Sequence, residues 1–384
     1  MSIPITAIAR MLAVLSCVVA CAQMVNEWIE SSSIPVSASD VIRSQDDLDA
    51  FRAKHEKGGH HPFVEGDPIE IPTGVYLQSV SFLNATDVNA TGYIWQHYPV
   101  NFQYNKGIVF PEQVSSDDGV LMKVFEDKSE IDGKPRDLVG WYFDIVVRQS
   151  FDYRRYPFDP ATIWLRLWPA EFGDDQHVFL TPDFRSYTSM GPGETFGLDS
   201  DLVPGGWEVS ENFFNYRSVG YDASFGFKDA KATGPRTRYF ELFYNLHVKR
   251  KFINAMIINL IPLAVVALLL FGAVMITSTD KARAERFGFD ASGVLGTCSA
   301  LFFVVILSHI QVRSEFKGSG LVYIEYFYLI LYAYLILVAL NAWVLSNTPE
   351  YSGSLLVWRD NFIVKLLYWP VLLWAMLIVT WILL

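Results

Sequence analysis

The sequence predicts an exported all-β antiparallel sandwich followed by a four-helix transmembrane domain. Three features predict it. A short apolar run follows Arg10 near the N-terminus, residues 71 to 250 alternate and turn as strands do, and four long apolar runs occupy the last third of the chain. With 51% hydrophobic and 18% charged residues the chain is too apolar for a pair of soluble domains, and the excess is concentrated in those four runs.

Residues 1–22 read as a signal peptide. Arg10 precedes "MLAVLSCVVA", too brief to span a bilayer, and the small residues Ala20 to Ala22 suit cleavage before Gln23. The same stretch also admits a lipoprotein site at Cys21. Residues 23–70 form a polar extension with one short helix expected around Val41, Ile42, Leu48 and Phe51, which ends at a Gly-Gly break. His60 and His61, near His55, read as a solvated loop in preference to a metal site.

From Ile71 the pattern turns to strands. "GVYLQSVSFL", "TGYIWQHYPVNF", "LVGWYFDIVVRQ", "ATIWLRLW", "GWEVSENFFNYRSVGY" and "RYFELFYNLHVKR" are bounded by Gly, Pro, Asn and Asp clusters, so residues 71–250 read as six or more strands of a sandwich. Four spans follow within residues 251–384, at 252–277, 291–310, 321–346 and 362–384, each near the roughly 20 apolar residues a bilayer requires. The connection between the last two spans is short, which leaves no room for a kinase or cyclase domain.

Charge follows the same boundary. Residues 251–384 carry 8 Lys and Arg against 7 Asp and Glu, so a net charge of −12 falls on residues 1–250 of a chain whose total is −11. An acidic exported domain repels nucleic acid and concentrates cations. Of three cysteines, only Cys298 lies beyond the signal, which leaves no intrachain disulfide in the mature chain. The positive-inside rule votes both ways, since "DKARAER" and "KRK" flank the first span. The signal and an even number of spans then place both mature ends in the periplasm, in a bacterial inner membrane.

The stretch "YPFD", Tyr156 to Asp159, leads into the strand "ATIWLRLW" and resembles the signature loop of pentameric ligand-gated ion channels, the Cys-loop receptor superfamily. The resemblance continues in "VYLQSVSFLNATDVNATGYIWQHY", "VFPE", "GGWEV", "FYNLHVKRKF", "NLIPL" and "GLVYIEYF", in order over residues 71 to 384. Gln149 and Ile163 stand where the animal receptors have cysteines, as expected of a prokaryotic type lacking the loop disulfide, and Phe110 stands for the tryptophan of the Trp-Pro-Asp segment. Pro157, Pro160 and packing of Phe158 would then hold the loop.

The resemblance implies a homopentamer in membrane lipid, permeant ions, an unknown small-molecule or ionic ligand, no enzyme activity and no cofactor, with Ca²⁺ or protons as candidate modulators. A carboxylate in an aromatic loop needs a partner. For Asp159 the resemblance implies Arg250, which would couple the loop to the first span; Arg154, Arg155 and Arg166 are local alternatives. The second span is the least uniformly apolar, and helical spacing puts Leu295, Ser299, Phe302, Ile306 and His309 near one face as pore lining and gate. Small residues in a spanning helix also serve helix packing. Asp290 and Arg313 mark the pore mouths, and Asp290 with the acidic outer domain favours cations.

Ligand candidates at the boundary between sandwiches are Trp168, Phe172, Tyr221, Phe225 and Phe227, whose aromatic faces suit an amine. Asp117 with Asp118 and Asp174 with Asp175 read as acidic loops before Ca²⁺ sites. The rival reading is a non-conducting envelope sensor or scaffold. A membrane enzyme has only His309 and Glu325 as interior groups in the spans, too little chemistry.

Overall fold

The computed structural model describes residues 5–32, 39–56, 69–114, 120–171, 178–202, 204–222, 238–278, 291–346 and 360–384. By its contacts the chain divides into two units. Pro35–Phe151 with Pro160–Lys249 form one, and Met1–Ile34, Asp152–Asp159 and Arg250–Leu384 form the other.

The first unit contains two five-stranded sheets. One has the order β1 (Val41–Ile42), β9 (Trp207–Gly220), β10 (Arg238–Arg250), β7 (Pro160–Pro169), β4 (Ile108–Val109). The other has β5 (Val120–Ile131), β6 (Lys134–Arg148), β3 (Asp87–Pro99), β2 (Ile69–Phe82), β8 (Val178–Pro182). The six segments expected from alternation are all strands, and β1, β4, β5 and β8 join them. Alternation is the cause: along β6 and β7 every second side chain is buried, and Ile94, Phe143, Leu165 and Leu246 meet in one core. Among the described registers pairing is antiparallel except between β2 and β8, which run parallel. The β5–β6 hairpin turns on Asp132 and Gly133, both with positive φ, the geometry a two-residue Asp-Gly turn requires.

A helix, α2 (Gln45–Glu56), forms within the polar extension. Ser44 caps it, accepting from the Asp47 amide at 3.2 Å, while the Asp47 carboxylate accepts from the Ser44 amide at 3.0 Å. Its Leu48 and Phe51 are buried in the sandwich core, with the Phe51 ring stacked on Tyr216 at 4.8 Å.

The second unit holds five long helices: α1 (Ile5–Ser31), α3 (Phe252–Ile276), α4 (Ala291–Glu315), α5 (Tyr323–Ser346) and α6 (Phe362–Leu383). All five are long and apolar enough to cross a membrane. Four of them are the runs expected after the sandwich, and the fifth, α1, comes before it, which corrects the order. The N-terminal run was expected to stop near Ala20. Instead "CAQMVNEWIES" continues the same helix, and an 18-residue window within it has a mean hydropathy of 2.0.

Candidate functional site

The loop Asp152–Asp159 lies between β6 and β7 in sequence, yet it belongs with the helices. Its aromatic residues explain why. Tyr153 and Tyr156 pack against Phe316, just beyond α4, at 4.9 and 4.6 Å, and Phe158 lies 5.5 Å from Phe252 at the start of α3 and 6.1 Å from Tyr323 at the start of α5. The Tyr323 amide donates to the Arg154 carbonyl at 2.9 Å, and the Asn259 side-chain amide on α3 donates to the Tyr156 hydroxyl at 3.3 Å. The Tyr156–Pro157 peptide is cis.

Asp159 is 2% exposed and is held bidentately by Arg250, Nε to Oδ1 at 3.0 Å and Nη2 to Oδ2 at 3.1 Å. The alternatives are engaged elsewhere. Arg154 pairs with Asp152, Arg155 donates to the Leu384 carbonyl, and Arg166 pairs with Glu112 and Glu241. Burial pushes the Asp159 carboxyl up, and the charge and hydrogen bonds of Arg250 oppose it. The Arg250 guanidinium also lies over the Tyr156 ring at 4.8 Å, so one residue at the β10–α3 junction fixes both a charge and an aromatic face of the loop.

Within the sandwich unit, the ends of the flanking strands are joined by Gln149, which stands where the animal receptors have a cysteine. Gln149, 3% exposed, donates through Nε2 to the Trp164 carbonyl and accepts from the Trp164 amide at 3.2 Å. An amide side chain supplies one donor and one acceptor to one backbone unit, as a strand neighbour would. Ile163, the other position of the pair, is buried in the core.

On α4, Val294, Cys298, Leu301, Val305 and Val312 are buried against neighbouring helices. The opposite face is centred on Phe303, Leu307 and Ile310, exposed by 64%, 66% and 56%. Of the stripe expected from spacing, Leu295, Ser299 and Phe302 are exposed, while Ile306 and His309 are half-buried towards one flank. The Phe302 ring tilts against Tyr332 of α5 at 5.6 Å. His309 stacks on Tyr328 at 5.2 Å, its Nδ1 3.3 Å from the Tyr332 hydroxyl and its Nε2 3.3 Å from Oε1 of Glu325.

Glu325, fully buried on α5, also accepts from the Val322 amide at 2.8 Å and from Arg313 at 3.3 Å. Arg313 donates further to the Gly320 and Ser319 carbonyls at 2.9 and 2.7 Å. Two residues assigned to the pore are therefore turned onto α5 and the turn before it. Asp290 lies outside the described residues, as do Glu285, Arg283 and Arg286.

Trp168 and Tyr221, two of the five ligand candidates, do come together, their rings 6.0 Å apart. The cation beside them is the protein's own. The Arg166 guanidinium sits 5.0 Å from the Trp168 ring and 5.9 Å from both Tyr221 and Phe243, bonded to the Tyr221 hydroxyl, to Glu241 and, at 2.9 Å, to Glu112. The signal for this was present: residues 166 and 168 of one strand share a face. Phe172, Phe225 and Phe227 lie outside the described residues, as do His60, His61, Asp117, Asp118, Asp174 and Asp175. Among the described residues no cluster of three or more His, Cys, Asp or Glu side chains is placed to hold a metal ion.

No family model matches the chain, and no curated protein matches it.

Proposed function

We propose that the chain is the subunit of a pentameric, ligand- or ion-modulated channel of the Cys-loop receptor type, conducting cations, with α4 lining the pore and the sandwich gating it. The observation that carries this reading is the Asp152–Asp159 loop, covalently continuous with two sandwich strands and locked by Asp159 and aromatic packing onto residues at the starts of α3 and α5 and just beyond α4. A displacement of β6 or β7 is passed along the chain into that loop. Its contacts then act on the helix that presents Phe303 and Leu307, whose bulky apolar side chains suit a ring that blocks ions by dewetting.

Two further observations support the reading. β5 is an edge strand whose Val120, Leu121, Met122, Val124 and Phe125 are all exposed, a liability in a monomer and an asset at a subunit boundary. A net charge of −12 on residues 1–250 attracts cations. We place the sandwich in the periplasm and the helices in the inner membrane of a bacterium. Arg166 fills the Trp168–Tyr221 cage, so an amine has to displace a resident guanidinium to bind there.

The test is current across planar bilayers holding the purified protein, with pH and Ca²⁺ varied, for wild type, Phe302→Ala and Phe303→Ala. We expect unitary currents in wild type that become larger or constitutive in Phe303→Ala, with a smaller change in Phe302→Ala, and a reversal potential that reports cations. Silence from all three, with pentamers verified in the membrane, favours the non-conducting sensor or scaffold.

A further inference from the structure

The N-terminal helix has specific partners along its length. The Arg10 guanidinium lies 5.8 Å over the Phe362 ring. The Trp374 indole N–H donates to Ser16 Oγ at 2.9 Å. Farther on, the Trp28 indole N–H donates to the Tyr323 hydroxyl at 2.8 Å, which is itself 2.8 Å from Thr380 Oγ1. Residues 10, 16 and 28 thus meet residues 362, 374 and the partner of 380 in ascending order, so α1 runs parallel to α6. Between those contacts Ala20 and Met24 are buried, whereas Met11, Leu12, Val14, Leu15 and Val18 are exposed, the two faces of a helix with protein on one side and lipid on the other.

A signal peptide's apolar core is about 7–15 residues and makes no lasting contact with the mature chain. α1 instead is 27 residues long, about 40 Å at 1.5 Å per residue, and supplies the acceptor for an indole donor on α6 and the donor for a tyrosine hydroxyl on α5. In hydrocarbon such groups have no water to replace a lost partner. Trp28 reaches the signature loop as well: its ring stacks on Phe158 at 6.1 Å with an interplanar angle of 25°.

We propose that α1 is retained as a fifth membrane-spanning helix packed on α6, and that Trp28 is a positioning residue which holds Phe158, and with it the Asp152–Asp159 loop, against α5. Retention and packing stand independently of the channel reading; an effect of Trp28 on gating rests on it. The helix pair α1–α6 then presents a lipid-facing surface one side chain away from the loop, which makes the loop responsive to the surrounding bilayer.

The experiment uses the full chain with a C-terminal tag, purified from membranes. Intact mass should include residues 5–31; loss of the segment before Gln23, or a lipid-modified Cys21 at a new N-terminus, overturns retention. In a background carrying Cys17→Ala, Cys21→Ala and Cys298→Ala, the pair Ser16→Cys and Trp374→Cys should form a disulfide with mild oxidant while Leu12→Cys and Trp374→Cys should not; equal yields overturn the packing. Hydrogen exchange in the Asp152–Phe158 backbone should rise at least fivefold in Trp28→Ala and return to within twofold of wild type in Trp28→Phe, which keeps the ring. Unchanged exchange in Trp28→Ala sinks the positioning role, whatever the currents show.

Discussion

Asp159 and Asp183 are both nearly inaccessible, at 2% and 3% exposure, and their neighbours give them different characters. Asp159 depends on a single cation. Asp159→Ala removes the bidentate partner of the half-buried Arg250, and breaking a buried pair costs about 3–5 kcal/mol; a melt of the purified protein followed by tryptophan fluorescence should show that loss, and the double exchange Asp159→Arg with Arg250→Asp should recover part of it. Asp183 instead depends on three donors, His97, Ser186 and Trp95. Burial alone would raise its carboxyl, but hydrogen bonds from His97 at 3.2 Å, Ser186 and the Trp95 indole at 2.8 Å bring it down to about 2. A folded value below the unfolded one of about 3.9 makes this contribution complete above roughly pH 4 and lost as the pH falls towards 2. The sandwich should therefore lose roughly 2 kcal/mol of stability over that window, and Asp183→Asn should flatten that part of the pH profile, as followed by near-ultraviolet circular dichroism. Asp159 was legible because it sits in a recognisable tetrapeptide. Asp183 was not, because its donors come from β3 and from the turn after β8.

Composition made α4 long and apolar enough to cross a membrane but left its rotation open, since apolar residues occur on every side of it and its small residues suit packing as well as lining. The neighbouring helices turn Val294, Cys298, Leu301 and Val305 inward, and the outward face falls about one residue on from the stripe drawn from spacing. Single cysteines at Phe303, Leu307 and Ile310 should react with a charged thiol reagent in the assembled protein at least ten times faster than one at Val305, with Phe302 and His309 between; a fastest reaction at Phe302 would restore the original stripe. β5 poses the reverse problem. Its apolar side chains are exposed in one chain, so on the proposed pentameric reading Met122→Glu with Val124→Glu should shift native mass spectra from pentamer towards monomer. The monomer's melting should change by no more than about 0.5 kcal/mol, the range for surface substitutions.

The chain passes between its two units after Ile34, Phe151, Asp159 and Lys249. Two of those crossings bracket the Asp152–Asp159 loop and another precedes Arg250, so the ion pair joins segments that enter the helical unit separately. If the loop transmits gating, this pair should be dispensable for assembly and required for response. Asp159→Asn, which keeps the shape and drops the charge, should leave the oligomeric state read by native mass spectrometry unchanged. If the protein conducts, it should open at least ten times less often under conditions that activate wild type. Normal opening in that variant would remove the loop from the gating path.

Alternation, turn residues and run length are properties of neighbours along the chain, and they were enough to foretell a sandwich, long apolar helices and an acidic N-terminal half. The ends of elements were harder, as α1 shows: eleven residues of mixed polarity continue its helix because tertiary contacts at Met24 and Trp28 support them. Which side chains meet is a property of the folded chain. Asp159 finds Arg250 across 91 positions, Trp28 finds Tyr323 across 295 and Ser16 finds Trp374 across 358. No periodicity spans such distances. The aromatic cage filled by Arg166, the Gln149 clasp, the rotation of α4 and the docking of α1 all depend on three-dimensional packing, because each requires groups remote in the chain to satisfy one another's charge or hydrogen bonds away from water.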